Sequence, residues 1–367
     1  MIINQILSKN LPFVAYRMPG EKESSILMQS TKDVAIFDFN DIAIQEGFVL
    51  APYESYRDGK AFLLKPSFFV QDEFGQDQLS GFLENLPDES PVIPELEINI
   101  ANKDFYLSQA QRMIDNVKEG QLNKVVLSRI LIKNLTDEYN IDLLFEQMSH
   151  QYPKAFVYVF HLPGKGVWIG ATPETLLQKQ GDYFETMALA GTQKKPEGNE
   201  DVLWGEKEIQ EQQYVSDFID NQLNKLGVFA FEKSDAETVF AGSLAHICTR
   251  FKIPFSEISG KTGELVRSLH PTPAVCGIPK EKAWQLIAEI EKHKRRFYTG
   301  FLGPWNLNEQ SHLFVNLRCA RILEMSVEIY VGGGLTADSV PEKEWQETQD
   351  KSQTILSAIE NLRKFAP

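Results

Sequence analysis

The stretch "EWQETQDK", residues 344–351, places Glu344, Glu347 and Lys351 three and four apart. On a helix such side chains are neighbours on one face. Two readings follow: a solvated strip holding one Glu–Lys pair, or carboxylates and an ammonium aimed at a ligand. The preceding run, "SVEIYVGGGL", reads as a strand ending in Gly332, Gly333 and Gly334. Glycines at a strand end let a ligand approach the backbone closely, which favours the second reading.

Other polar residues interrupt apolar surroundings. In "NKVVLSRIL", Lys124, Val126, Ser128 and Ile130 share one strand face; Val125, Leu127 and Arg129 share the other. Both faces are largely apolar, so the strand needs cover on both sides. Lys124 either snorkels to water or is a partly buried amine, which desolvation would make a general base near neutral pH. "IGATPETLL" sets Glu174 after a Thr-Pro turn, as a helix-start carboxylate or a general acid held in a pocket. "GEKEIQEQQYVSDFI" carries Glu208 and Glu211 on a helix, as surface acids or with one of them paired to Glu347. Carboxylates from two helices, with water and substrate oxygens, suit Mg²⁺. "SLHPTPAVCGIP" is a proline-stiffened loop containing His270, either structural or presenting binding groups. "LRCARI" places Arg318 and Arg321 on opposite faces of a strand, so one must point inward to an anionic partner.

These residues need elements to position them. Apolar periodicity predicts helices over 138–151, 206–226, 280–297 and 341–364, the last with Ser339 as N-cap and Pro341 in its first turn. Another helix covers "DFYLSQAQRMIDNVKEG" and is closed by Gly120. Strands are expected at "NKVVLSRILIKNL", "AFVYVFHL", "GVWIGATPETLLQ", "YFETMALAG", "HLFVNLRCARIL" and "SVEIYVGG". Residues 1–84 read as strands and hairpins, and the proline- and acid-rich 85–97 as a surface connection. Short links such as "GKG" and "KQGD" favour antiparallel pairing and an α+β fold. We expect a single domain over 1–367, with a less diagnostic strand-rich part (1–97) and a motif-bearing part (98–367).

Composition excludes several classes. The net charge of −14 argues against a nucleic-acid surface. No apolar run reaches 18 residues and the N-terminus lacks a signal-peptide pattern, so a cytoplasmic protein without a membrane span is expected. Three scattered cysteines read as free thiols, and the six histidines form no zinc motif.

Taken in order, "NKVVLSR", "GATPETLL", "ALAGT", "LHPTPAVCGIP", "FYTGFLG", "LRCARI", "VGGGL" and "EWQETQDK" resemble the chorismate-binding enzymes. That family includes isochorismate, anthranilate, aminodeoxychorismate and salicylate synthases. The resemblance covers roughly residues 100–364. It implies two stacked, mainly antiparallel sheets flanked by helices, with the site in a cleft between them. Lys124 brings it nearest to isochorismate synthase, since amine-transferring relatives usually carry glutamine there. Ala190 stands where aminodeoxychorismate synthases often have lysine. Salicylate synthases share the lysine and the acid, so a salicylate-forming lyase stays as the alternative, ahead of an aminating enzyme or a non-catalytic chorismate-binding protein.

The resemblance also implies roles. Lys124 would activate the water that attacks C2, and Glu174 would protonate the departing 4-hydroxyl. Glu211 and Glu347 would hold Mg²⁺, with Glu208 as fallback for Glu211. Lys351 would answer the ring carboxylate, and Tyr298 and Arg318 the enolpyruvyl carboxylate. Gly191, Thr192, Gly332, His246, Ala274 and Val275 would line the substrate. The chain departs from the family by reading Glu211-Gln212 where Glu-His is common, and "AGTQKK" lacks an arginine often found there. No "LLES"-like tryptophan-binding segment occurs in the first hundred residues. No long apolar helix lacks a plausible core, so a monomer is expected; Lys124 argues against a glutamine amidotransferase subunit, and the expected product is isochorismate for menaquinone or siderophore synthesis.

Overall fold

Strands that are apolar on both faces must be covered on both sides, and here two large sheets cover one another. The computed structural model describes residues 2–89, 102–135, 140–196, 202–241 and 244–365. One sheet has nine strands, ordered Gly277–Ile278, Lys124–Asn134, Ser326–Leu335, Cys319–Ile322, Gly166–Thr172, Phe156–Leu162, Phe13–Arg17, Ser25–Met28 and Phe68–Val70. The other has ten: Glu232–Lys233, Leu244–Pro254, Tyr183–Lys194, Thr175–Gln180, His312–Val315, Phe301–Trp305, Gly47–Ala51, Lys60–Leu64 and Ala35–Asp38, with Glu237–Ala241 also on Leu244–Pro254. Every pairing among the described residues is antiparallel.

Period-two alternation builds the layers. Phe156, Tyr158, Phe160 and Trp168 of the first sheet meet Phe48, Leu50 and Phe314 of the second. The Phe156 and Phe314 rings stack at 4.1 Å. Val157, Val159 and Ile169 face the opposite way, onto the helices Ile2–Leu7, Ile141–Gln151 and Pro341–Phe365. The outer face of the second sheet packs on the helices Glu206–Lys225 and Thr262–Leu269. The helices Lys103–Lys118 and Lys280–Ile290 cover the strand that begins with Lys124. The architecture is α+β, two stacked antiparallel sheets between helices, as expected. The first 84 residues contribute strands to both sheets.

Several expectations need correction. "GVWIGATPETLLQ" is two strands, Gly166–Thr172 in one sheet and Thr175–Gln180 in the other, parted at Pro173-Glu174. "HLFVNLRCARIL" likewise splits into His312–Val315 and Cys319–Ile322, in different sheets. Arg318 sits in that second crossing at φ +49°, so it and Arg321 are not opposite faces of one strand. Both point inward: Arg321 is fully buried and donates to both oxygens of Glu328, at 2.7 and 2.9 Å. The helix expected to reach 297 ends at Ile290, because Glu291 is extended. Ser339 does not cap the last helix; its hydroxyl accepts the Thr336 N–H, and Pro341 is the first helical residue after Val340. The helices Ile2–Leu7, Glu73–Glu84 and Thr262–Leu269 were not anticipated. The connection over 85–97 lies mostly outside the described residues, as do positions 138 and 139 of a helix observed from Ile141. The "GKG" and "KQGD" hairpins and the left-handed Gly120 follow expectation.

Candidate active site

The two places where the chain crosses between sheets lie side by side. Val315 N–H donates to Glu174 O at 2.9 Å, Ala171 N–H to Arg318 O at 3.2 Å, and the Thr172 hydroxyl to Val315 O at 2.6 Å. A strand that leaves its sheet frees a residue from the pleat, and here the freed side chains are Glu174 and Arg318. Both line a cleft of ≈ 730 Å³, mouth included, bounded by the helices that begin at Glu206 and Pro341.

Eleven of the thirteen candidate residues line this cleft: Glu174, Gly191, Thr192, Glu211, His246, Ala274, Val275, Tyr298, Arg318, Gly332 and Lys351. Lys124 and Glu347 stand one layer back. Lys124 is fully buried rather than snorkelling, with Nζ 2.8 Å from Glu211 Oε1. Glu347 lies 2.7 Å from Lys351 Nζ, which also donates to Gly332 O at 3.0 Å. Glu344 is buried and bonds Lys207 at 2.8 Å. The glycine run serves this packing more than the approach of a ligand. A Cβ on Gly334 would sit 2.7 Å from both Lys124 Cε and Glu211 Oε1, and one on Gly332 would sit 2.9 Å from the Tyr298 hydroxyl.

The register of the Glu206–Lys225 helix separates Glu211 from Glu208. Glu211 enters the cleft, while Gln212 turns to the sheet and donates to the Thr249 hydroxyl at 2.8 Å. Glu208 instead folds its carboxylate back towards Gly205. Replacing the family's histidine by Gln212 therefore leaves the glutamate beside it in place.

Electrostatics give the carboxylates different states. Burial pushes the Glu174 carboxyl up to about 7, against the pull of Lys124, a Thr272 hydroxyl 3.4 Å away, Arg318 and Lys351. Burial also opposes ionisation of Glu211, but Lys124, Lys351 and Lys207 outweigh it and hold that carboxyl below its ordinary range. Burial and the neighbouring Glu347 raise Glu344. His246 is driven down to about 3 by burial, then by Arg318 and Lys351, so its ring is neutral. Its tautomer follows from its partners. Arg318 Nη2 can only donate, so Nε2 accepts at 2.9 Å; Gly191 O can only accept, so Nδ1–H donates at 3.1 Å.

The carboxylates Glu211, Glu347 and Glu344 are each turned onto a lysine, and among the described residues no three acidic or histidine groups converge on one point. Their chemistry still fits a hard cation. All the donors are oxygens, and Glu344 Oε2 is buried without a hydrogen-bond donor.

A family model for chorismate binding enzymes matches residues 72–360. The chain belongs to the chorismate-binding enzyme family. It is 32% identical over 252 residues to isochorismate synthase EntC of Escherichia coli (strain K12), a match covering 65% of this chain and 63% of that protein. The anthranilate synthase component 1 of Thermus thermophilus is 27% identical over 271 residues, 71% of this chain and 57% of that protein. In fold, the chain superposes on a Bacillus anthracis structure described as a 2,3-dihydroxybenzoate-specific isochorismate synthase. The TM-score is 0.77 at 22% identity, covering 98% of this chain and 99% of that one. Arg318 and Lys351 set two cations in the lining of the cleft.

Residue-by-residue reading missed Pro173, Leu189, Leu317 and Gly334 in the lining and Lys207 behind it. Gly334 belonged to the glycine run already singled out. Lys207, four residues before Glu211 on the same helix, was legible as its neighbour. No described helix is long and apolar enough to cross a membrane.

Proposed function

We propose that this protein is an isochorismate synthase, adding water at C2 of chorismate and expelling the 4-hydroxyl. The observation that carries the reading is one site holding two unlike groups: a buried lysine, Lys124, bound to Glu211, and a separate buried carboxyl, Glu174, whose ordinary acidity is suppressed to about 7. A general acid must hold its proton at the working pH, and Glu174 does so where Glu211 does not. Lys124 first releases to solvent the proton of its ion pair with Glu211, and the neutral amine then takes a proton from water as the oxygen bonds to C2. The ring double bonds shift, and the 4-hydroxyl leaves as water with the proton of Glu174. Arg318, oriented by the neutral His246, suits the enolpyruvyl carboxylate, and Tyr298 lines the same cleft. Glu211 and Glu347, with the unpartnered Oε2 of Glu344 nearby, would hold Mg²⁺, which when bound neutralises the ring carboxylate.

The test is product analysis of purified protein with chorismate and Mg²⁺, with and without ammonia. Isochorismate alone, indifferent to ammonia, is the expected result. Salicylate with pyruvate would make the enzyme a lyase on the same site, and an ammonia-dependent amino product would overturn the role of Lys124.

A further inference from the structure

Arg318 and Pro173 face two cavities. One is the cleft. The other, ≈ 710 Å³ with its mouth, is walled by Tyr152, Lys154, Lys195 and Phe240. Lys154 and Lys195 are exposed. Lys195 lies over the Phe240 ring at 5.2 Å, and no acidic side chain lines this cavity among the described residues. The wall is built: Tyr152 donates to Thr354 O at 3.0 Å and is held by Gln151 at 3.0 Å. A second mouth reaches the cleft beside Thr192 and Lys351, and it differs in charge. There three lysines, Lys194, Lys343 and Lys351, face two acids, with Lys194 bound to Asp350 at 3.2 Å and Lys351 to Glu347 at 2.7 Å.

We propose that the cavity behind Arg318 is the entry port for the anionic substrate, with Lys154 and Lys195 as its steering charges. The inference rests on the dianionic substrate proposed above. A chain of net charge −14 repels a dianion at long range. Capture therefore needs a local positive opening, and field lines concentrate in clefts with one sign of charge. Arg318, held at the partition by its bond to His246, is the next cation along the path. The other mouth, where two acids offset two of its three lysines, gives an anion a weaker gradient.

The test uses Lys154→Cys. The natural cysteines Cys248, Cys276 and Cys319 are all buried, so methanethiosulfonate reagents will modify position 154 selectively. An anionic sulfonatoethyl adduct should lower kcat/KM for chorismate roughly 10-fold against a cationic trimethylammonioethyl adduct, with kcat unchanged. The gap should close in about 0.5 M salt, where screening acts within ~4 Å. Lys154→Glu with Lys195→Glu should act in the same direction, and the milder Lys154→Gln with Lys195→Gln covers any loss of folding. Lys194→Glu at the other mouth should change kcat/KM less than about 2-fold. Equal kcat/KM for the two adducts, or a larger effect at Lys194, would overturn the port while leaving the reaction standing. An unmodified protein that neither binds nor converts chorismate would remove the substrate reading and the port with it.

Discussion

Glu174 and Glu211 line one cleft, the first buried and the second partly buried, yet they behave oppositely. Glu211 comes from a helix and meets Lys124 at 2.8 Å, which keeps it ionised. Glu174 comes from a crossing between sheets and has a threonine hydroxyl and more distant cations, so burial dominates and it stays protonated to about pH 7. Burial opposes the charge on both; the nearest partner decides which of them bears it. One part of the wall is thus made of paired charges that can be handed to a cation, and the other holds a proton ready to give.

The sharpest way to break this contrast is to remove either half of the proton chemistry. Lys124→Ala and Glu174→Gln should each lower kcat by about 10²–10⁴-fold without unfolding the protein, checked by product formation and circular dichroism. Near-normal turnover in either would end the acid–base assignment. Next in size is Glu347→Ala, which should abolish calorimetric Mg²⁺ binding along with activity; unchanged Mg²⁺ affinity would place the ion elsewhere.

Arg129 tests the paired-charge wall indirectly. Its guanidinium lies 3.9 Å over Trp345, Nε donates to the Thr348 hydroxyl at 2.9 Å, and Nη2 bonds Gln349. It thereby ties to the sheet the turn that carries Glu344 and Glu347. Arg129→Met should raise the half-saturating Mg²⁺ concentration roughly 10-fold, with turnover recovering at high Mg²⁺. Lower stability with an unchanged Mg²⁺ response would reduce Arg129 to a packing residue.

The smallest effect is in stability. Glu174 binds its proton more tightly folded than unfolded, so its contribution favours folding at low pH. That contribution is lost as pH rises from the ordinary carboxylate range through about 7. Glu174→Gln should therefore be more stable than the parent at pH 8, on the order of 2 kcal/mol, and nearly equal near pH 4. Denaturant melts at the two pH values check this, and a constant difference would mean that Glu174 is ionised throughout.

Much of this was legible from residues alone. Lys124 and Glu211 stood out because polar residues in apolar or periodic runs need a reason; the glycine run marked a close approach, of the Lys124, Glu211 and Tyr298 side chains more than of a ligand. The hairpins followed from short glycine turns. The sheet crossings at Pro173-Glu174 and Asn316–Arg318 were not legible, because an apolar run buried on both faces has the same pattern whether it stays in one sheet or changes sheets. The early end of the helix at Ile290 was hidden for a related reason. The carboxylate of Glu291, just beyond it, is taken by Arg295 and by Ser128 of a distant strand.

Sequence by itself determined which residue types were available, their spacing along each helix and strand, and hence the α+β class and the chemistry on offer. Only the tertiary structure decided which carboxylate is charged. Ionisation depends on a lysine within a few ångströms and on water being excluded, and both are set by elements far apart in the chain.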